Sequence, residues 1–264
     1  MRLPAPPVDV ARRPFLAVAA LFLVGDVLLV ALFAVFKLGW VQDPMASLGL
    51  DGGYAEVVQY LKTLWVGLCA GWLTWRTREP VFAALAALFA GLLVDDAGRL
   101  HEVWGARLAD ALALPSVAGL RPVDLGETLF LALWVGPVFL FGVAAYRRSA
   151  PPARATARWA LGALAVLAAF GVGADALHQS ATALVDVDGL DGALTLLEEG
   201  GELVTMSVLV AGAVACVLGR PGGRGGPSDD RPARGAERGG AAYRSTQYSG
   251  GMSCASARAP RAPL

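Results

Sequence analysis

The chain has 264 residues, of which 56% are hydrophobic and only 17% are charged. Soluble domains usually carry about 45–50% apolar and about 25% charged residues, so this composition excludes an ordinary water-soluble domain. The formal net charge is +0, and we expect no nucleic-acid partner. Cys69 and Cys216 lie in apolar segments and Cys254 lies near the C-terminus, so no disulfide framework is expected.

Long uncharged runs separate the charged clusters, and a helix needs about 20 mostly apolar residues to cross the hydrocarbon core. The first run follows Arg12 and Arg13 and continues to Phe36, which is too long for a signal peptide, so we expect an uncleaved span. In chain order, the predicted transmembrane helices cover residues 14–36, 57–76, 81–103, 127–146, 157–178 and 196–218. The sequence therefore predicts an all-α polytopic membrane bundle of six helices within residues 14–218.

The distribution of arginine predicts how these helices are oriented. The side of the membrane that receives most Lys and Arg faces the cytoplasm. Basic residues cluster in the N-terminus, in the turns that follow residues 76 and 146, and in the C-terminal segment, all on one side. The other side has fewer basic residues, which are diluted by aspartates. We therefore predict a plasma-membrane protein with both termini, residues 1–13 and 219–264, in the cytoplasm.

The C-terminal segment 219–264 is rich in Gly, Pro, Ser and Arg and has no hydrophobic periodicity. Such a composition predicts a disordered basic tail. Beyond the lipid bilayer around the helices, we expect the tail arginines either to contact anionic lipids or simply to be solvated.

The segment 104–126 is too long to be a tight turn between the third and fourth spans. Residues 104–113 are predicted to continue the third helix as an amphipathic extension. Pro115 and Gly119 would then end it.

Polar residues cluster at the outer ends of the later spans. Counting about 1.5 Å per residue along each helix places them in one slab of the outer leaflet. We name this slab the polar band; its members are Asp95, Asp96, His101, Glu102, Glu127, Asp175, His178, Glu198, Glu199 and Glu202. Carboxylates inside a membrane are costly and usually pair, bind an ion or line a wet cavity.

Spacing within the polar band groups its members by helix face. Asp175 and His178 are three residues apart, as are Glu199 and Glu202, so each pair shares a face. On the third helix, Asp95, Arg99 and Glu102 follow at i, i+4 and i+7 and form one stripe. Asp96 points to the other flank and is the weakest member. Gly98 and Gly105 lie beside His101 and would let a neighbouring helix approach closely.

Crowded carboxylates cannot all ionise unless a bound cation neutralises them. Metal sites in helical bundles combine Asp or Glu with His on facing helices. Because the polar band contains no Met or Cys, its carboxylates and histidines suit zinc, iron or manganese better than copper. The predicted ligands are Asp95, His101, Glu102, Asp175, His178, Glu199 and Glu202. Two alternatives stay open: interfacial residues that only cap helices, and a proton or hydrogen-bond network.

Two ionisable residues lie apart from the polar band. Asp26 lies in the middle of the first span and is expected either to bond a neighbouring helix or to join a proton path, the first being favoured. Lys62 lies in the outer part of the second span and is expected either to snorkel outward or to neutralise the acidic band.

Two short motifs carry a resemblance. The run Val94-Asp95-Asp96-Ala97-Gly98-Arg99-Leu100-His101-Glu102 resembles the LDExxxxHE segment of a group of bacterial multi-pass membrane proteins, with Asp96 where that pattern has Glu. The run from Glu198 to Met206 resembles the EExxE stretch that opens the last helix in the same group. The resemblance implies a similar architecture and site location, but no reaction. His101-Glu102 also begins like HExxH, yet Gly105 stands where the second histidine would be.

Three functions compete on these observations. The first is a metal-dependent enzyme that acts on a lipid or other amphiphile, with Glu102 or Glu199 as general base, or a di-iron enzyme doing redox chemistry. The second is a proton or cation transporter, for which only Asp26 lies deeper in the bundle. The third is a non-catalytic membrane partner or sensor that uses the basic tail.

Overall fold

A computed structural model describes residues 12–117, 121–174, 177–178, 181 and 189–219, and these residues form helices joined by turns and loops. Asp175 lies outside the described residues, as do nearly all of the predicted tail and nearly all of the predicted N-terminal segment. The helices are α1 (Arg12–Lys37), α2 (Tyr54–Thr77), α3 (Pro80–Gly98), α4 (Leu100–Leu112), α5 (Pro122–Arg148), α6 (Pro151–Ala168, extended by a π-helical turn Ala169–Ala174) and α7 (Leu190–Leu218), with a short 3-10 helix at Pro44–Ala46.

Five of these helices are long and apolar enough to cross a membrane: Arg13–Lys37, Pro80–Gly98, Pro122–Arg148, Pro151–Ala174 and Leu190–Leu218. They correspond to five of the six predicted spans. The remaining predicted span forms helix α2, but its apolar run is interrupted by Glu56 and Lys62. Large apolar side chains such as Leu21 and Leu140 are 71% and 70% exposed, which suits a surface that contacts lipid.

The helices begin earlier than the uncharged runs that predicted them. Helix α5 begins at Pro122 and α6 at Pro151, five and six residues before the predicted starts of 127 and 157. Proline suits the first turn of a helix because its ring fixes φ and its missing N–H would be unpaired there. Helix α7 likewise begins at Leu190, not at 196, so its first turns include polar residues. The limits of an uncharged run therefore do not mark the ends of the helix.

The bundle is organised around α7 and α2. Helix α2 packs against α3 and α7, and α1 packs against α7. In the core, Phe89 of α3 and Leu209 and Val210 of α7 are each 1% exposed. Helix α6 contributes alanines, among them Ala157 and Ala163, because small side chains allow close helix packing.

The predicted third helix, 81–103 with its extension to 113, is wrong as one continuous helix. Helix α3 ends at Gly98, and Arg99 adopts a left-handed conformation with φ 49° and ψ 40°. Its N–H caps the carbonyls of Asp95 and Asp96, and α4 then begins at Leu100. For a residue with a Cβ this conformation costs about 1–2 kcal/mol, which the ion pairs of Arg99 described below help to offset.

The break lets α4 fold against α5 instead of extending α3. Gly126 of α5 meets the backbone of Gly105 and Ala109 so closely that a Cβ on Gly126 would overlap the Gly105 carbonyl. A Cβ on Gly105 would in turn meet Glu127. The close approach predicted at Gly105 is therefore confirmed, and it fixes α4 beside the acidic end of α5.

Lys62 and Asp26 form a buried ion pair in the middle of the bundle. Lys62 is 0% exposed, and its Nζ donates to Asp26 Oδ1 at 2.5 Å and to the Leu203 carbonyl at 2.9 Å. Ser207 donates to the other Asp26 oxygen at 2.5 Å. The structural hydrogen bond expected of Asp26 is confirmed. Both expectations for Lys62 were wrong, because its charge is satisfied inward by a carboxylate that lies outside the polar band.

Candidate metal centre

An acidic cavity of about 270 Å³ lies where the ends of α2, α3, α4 and α7 meet. Its polar lining residues are Asp51, Glu56, Gln59, Tyr60, Thr63, Asp96, His101, Glu102, Glu199 and Glu202. Phe89, Leu92 and Met206 form its apolar floor. Residues from separate helices of the predicted polar band therefore line one cavity.

Asp95, Asp96 and His101 form a compact group at this cavity, with one ligand atom of each within 4.8 Å of the others. Atoms that bind one zinc-like ion at about 2.0–2.2 Å lie at most about 4.4 Å apart, so small shifts would close the group around an ion. Asp95 is 2% exposed. Asp96, which the sequence ranked weakest, belongs to the group.

The break at Arg99 creates this group. On a continuous helix, Asp95 and His101 would lie about 9 Å apart along the axis and about 240° apart around it. With α4 folded back, His101 Nδ1 lies 3.3 Å from Asp95 Oδ2. The predicted stripe of Asp95, Arg99 and Glu102 is accordingly absent, and a different set of side chains converges.

Two buried polar atoms of the group, Asp95 Oδ1 and His101 Nδ1, lack a hydrogen-bond partner among the described residues. Gln59 Oε1, on a residue that lines the cavity, lacks one as well. The short contact between His101 and Asp95 does not have the angles of a hydrogen bond. Buried polar atoms are nearly always paired with protein, water or an ion, so the two exceptions within the group indicate a site that takes a further polar species.

Glu102 is turned toward Arg99. The Arg99 guanidinium donates to both Glu102 oxygens, at 2.8 and 2.5 Å, and also pairs with Asp51 at 2.9 Å. The hydrogen bond from Arg99 lowers the pKa of the Glu102 carboxyl, and the same contact raises the pKa of Arg99. A carboxylate whose pKa is lowered is a weaker base, so this pairing counts against Glu102 as the general base.

Glu199 and Glu202 line the opposite wall of the cavity on α7. Glu202 reaches the π-helical turn of α6, where Gly171 leaves the room that a Cβ would fill. Such π-helical turns are frequent at functional sites. Among the described residues, Glu199 has no Lys or Arg partner, whereas Arg99 holds Glu102, so Glu199 is the more available of the two bases that the sequence proposed.

His178 belongs to a different cluster. Its Nδ1 contacts Glu198 at 3.1 Å and its Nε2 contacts Asp191 at 3.2 Å, while Asp191 also accepts from Lys37 at 3.1 Å. These carboxylates, Glu198 first, raise the pKa of His178. His178 is not among the residues that line the acidic cavity within the described part of the chain. The structure thus separates the two histidines that the sequence grouped.

Sequence reasoning missed the contribution of α2. Tyr60 donates to Glu56 at 2.5 Å and lies 3.3 Å from the carbonyl of Asp96, which joins α2 to the end of α3. The backbone N–H of Gly52 also donates to Glu56. Glu56, Gln59 and Tyr60 follow at i, i+3 and i+4, a spacing that places them on one face and could have indicated a second wall.

The fold and site define a class: an all-helical protein with membrane-compatible helices around an acidic, histidine-containing cavity. The chain belongs to the family described as "Domain of unknown function (DUF8692)", which matches residues 15–217 and so covers nearly all of the described helical region. No curated protein and no solved structure matches the chain significantly.

Proposed function

We propose that this protein is a polytopic membrane protein that binds one divalent metal ion at Asp95, Asp96 and His101, beside the acidic cavity that Asp96 and His101 line. The observation that carries the proposal is the convergence of these three side chains with unpaired buried atoms on Asp95 and His101. A divalent cation would neutralise the crowded carboxylates and supply partners for those atoms.

Six membrane crossings are supported by the position of α2. Its 24 residues would extend about 36 Å, which exceeds the hydrocarbon thickness of about 30 Å. Lys62 is neutralised by Asp26, and α2 lies between α3 and α7, two helices apolar enough to span. An even number of crossings puts both termini on one side, and the arginine distribution favours the cytoplasm of the plasma membrane.

Two carboxylates and one imidazole suit zinc, iron or manganese. Three protein ligands leave coordination positions open, as in catalytic metal sites, where the metal lowers the pKa of bound water. The cavity volume of about 270 Å³ lies slightly below the range of about 300–1,000 Å³ for whole small-molecule pockets, so it suits only the polar head of an amphiphile. Glu199 is the candidate general base for a hydrolytic reaction on such a substrate.

Metal content tests the proposal directly. Full-length protein purified in detergent should carry or take up about one equivalent of zinc, iron or manganese, measured by elemental analysis and by isothermal titration. Asp95→Asn and His101→Ala should each lower metal affinity at least about tenfold, since each removes a ligand.

His178→Ala is the matched control, because it removes the other histidine of the chain without touching the cavity lining. It should keep the wild-type affinity. Binding below a few tenths of an equivalent, or equal losses in the His101 and His178 variants, would show that the proposed centre is not a metal site.

Transport is less well supported than metal binding. A proton or cation path would need an available carboxylate deeper in the bundle, and Asp26 is held there by Lys62 and Ser207. If Asp26→Asn lowered proton flux in proteoliposomes while leaving metal content unchanged, transport would become the better explanation. A sensor role through the tail involves residues outside the described part of the chain.

A further inference from the structure

A second cavity, of about 430 Å³, lies between α3, α5 and α6 and is separate from the acidic cavity. Most of its wall is apolar, with Leu88, Val138, Gly142 and Leu161 among its lining residues. Helix α3 packs against both α5 and α6 and forms the floor. We call this space the apolar crevice. Its volume falls within the range of about 300–1,000 Å³ that is typical of ligand pockets.

One end of the crevice is basic. Arg147, in the last turn of α5, and Arg158, on α6, both line it there. Arg158 donates to the Tyr146 hydroxyl at 2.8 Å, which holds the guanidinium at the mouth of the crevice. No acidic residue is among the described lining residues, so the charge at this end favours a negative group.

We propose that the apolar crevice binds an anionic phospholipid, with an acyl chain between α5 and α6 and the phosphate at Arg147 and Arg158. The bordering helices are apolar enough to span a membrane, so the crevice would open onto lipid. Arginine forms paired, charge-assisted hydrogen bonds with phosphate, and basic pockets between transmembrane helices bind anionic headgroups. The proposal rests on membrane insertion but is independent of the metal centre.

Charge complementarity selects the occupant. A zwitterionic lipid would also place its ammonium group near the two guanidinium groups, whereas phosphatidylglycerol carries a net negative charge. Because the arginines lie at one end only, the apolar part of the lipid must extend along the crevice away from them. A bilayer lipid has this arrangement of a charged head and a long apolar chain.

Native mass spectrometry of the full chain in detergent tests the site with dioleoyl phosphatidylglycerol and dioleoyl phosphatidylcholine. The delipidated protein should bind one phosphatidylglycerol about tenfold more tightly than phosphatidylcholine. The double variant Arg147→Gln, Arg158→Gln should reduce this preference to about twofold or less. Arg148→Gln is its matched control, because Arg148 is exposed beside Arg147 but does not line the crevice.

A second variant tests the apolar part without changing any charge. Gly142→Leu should fill the crevice and weaken the binding of both lipids several-fold. Gly136 on the same helix faces open space, so Gly136→Leu should leave lipid binding unchanged. Circular dichroism and gel filtration monitor folding. Three results would each overturn the proposal. The first is equal binding of the two lipids by the wild-type protein. The others are a double variant that behaves like Arg148→Gln and a Gly142→Leu variant that behaves like Gly136→Leu.

Discussion

At the scale of single residues, the environment decides what an ionisable side chain does. Lys62 and Lys37 are the two lysines of the chain, and each pairs with one aspartate. The Lys62 pair is almost completely buried, whereas the side chains of Lys37 and Asp191 are 45% and 66% exposed. Removing one member of a buried pair leaves an uncompensated charge, while exposed pairs contribute little.

Lys62→Met should therefore lower the free energy of unfolding by about 3–5 kcal/mol, because Asp26 would stay buried without its cation. The expected readout is a large fall in the melting temperature of the detergent-solubilised protein. Replacing both partners, as Asp26→Leu with Lys62→Met, should recover much of this loss, since a matched apolar pair needs no compensation.

Lys37→Met is the comparison variant and should change stability by less than about 1 kcal/mol. Similar melting temperatures for the Lys37 and Lys62 variants would contradict the structural role assigned to the buried pair.

At the scale of elements, the decisive feature is the break between α3 and α4. The sequence predicted one continuous helix through residue 113 because no proline interrupts it before Pro115. Three non-local contacts accompany the break: Arg99 with Asp51, Gly105 with Gly126, and Tyr60 with the Asp96 carbonyl. None of these contacts can be read from local spacing, because their partners lie on other segments.

Gly126→Ala should push α4 away from α5, because the added Cβ would overlap the Gly105 carbonyl. We expect a loss of about 1–3 kcal/mol in stability, typical of overpacking, together with weaker metal binding because His101 lies on α4. Thermal melting and isothermal titration with zinc measure the two effects.

Gly136→Ala is the matched control on the same helix, since nothing lies within 4 Å of its added Cβ. Alanine is about 1 kcal/mol more favourable than glycine in a helix interior, so this variant should be unchanged or slightly stabilised. If both variants behaved alike, the close contact of α4 with α5 would not be what positions His101.

At the scale of the whole molecule, the question is whether α2 crosses the membrane with the other long helices. If it does, the segment after α1 and the turn after α2 lie on opposite sides. Trp40, 79% exposed, marks the first position, and the exposed Arg76 marks the second.

In a variant with the natural cysteines replaced by alanine, Trp40→Cys should react with an impermeant maleimide added to intact cells. Arg76→Cys should react only after the membrane is permeabilised, because arginine-rich turns face the cytoplasm. Labelling of both positions from outside would mean that α2 does not cross, and would exclude the six-span topology.

The sequence alone determined the helical, membrane-compatible class, the approximate spans and the presence of a polar band, because hydrophobicity and charge act locally along the chain. It also identified Asp95, His101, Glu199 and Glu202 as residues near one site. Only the tertiary structure decided that Asp96 joins the group, that His178 leaves it, and that Glu102 is held by Arg99. These outcomes depend on a helix break and on partners from distant segments of the chain. In a low-dielectric interior, the role of an ionisable side chain is set by the partner that neutralises its charge.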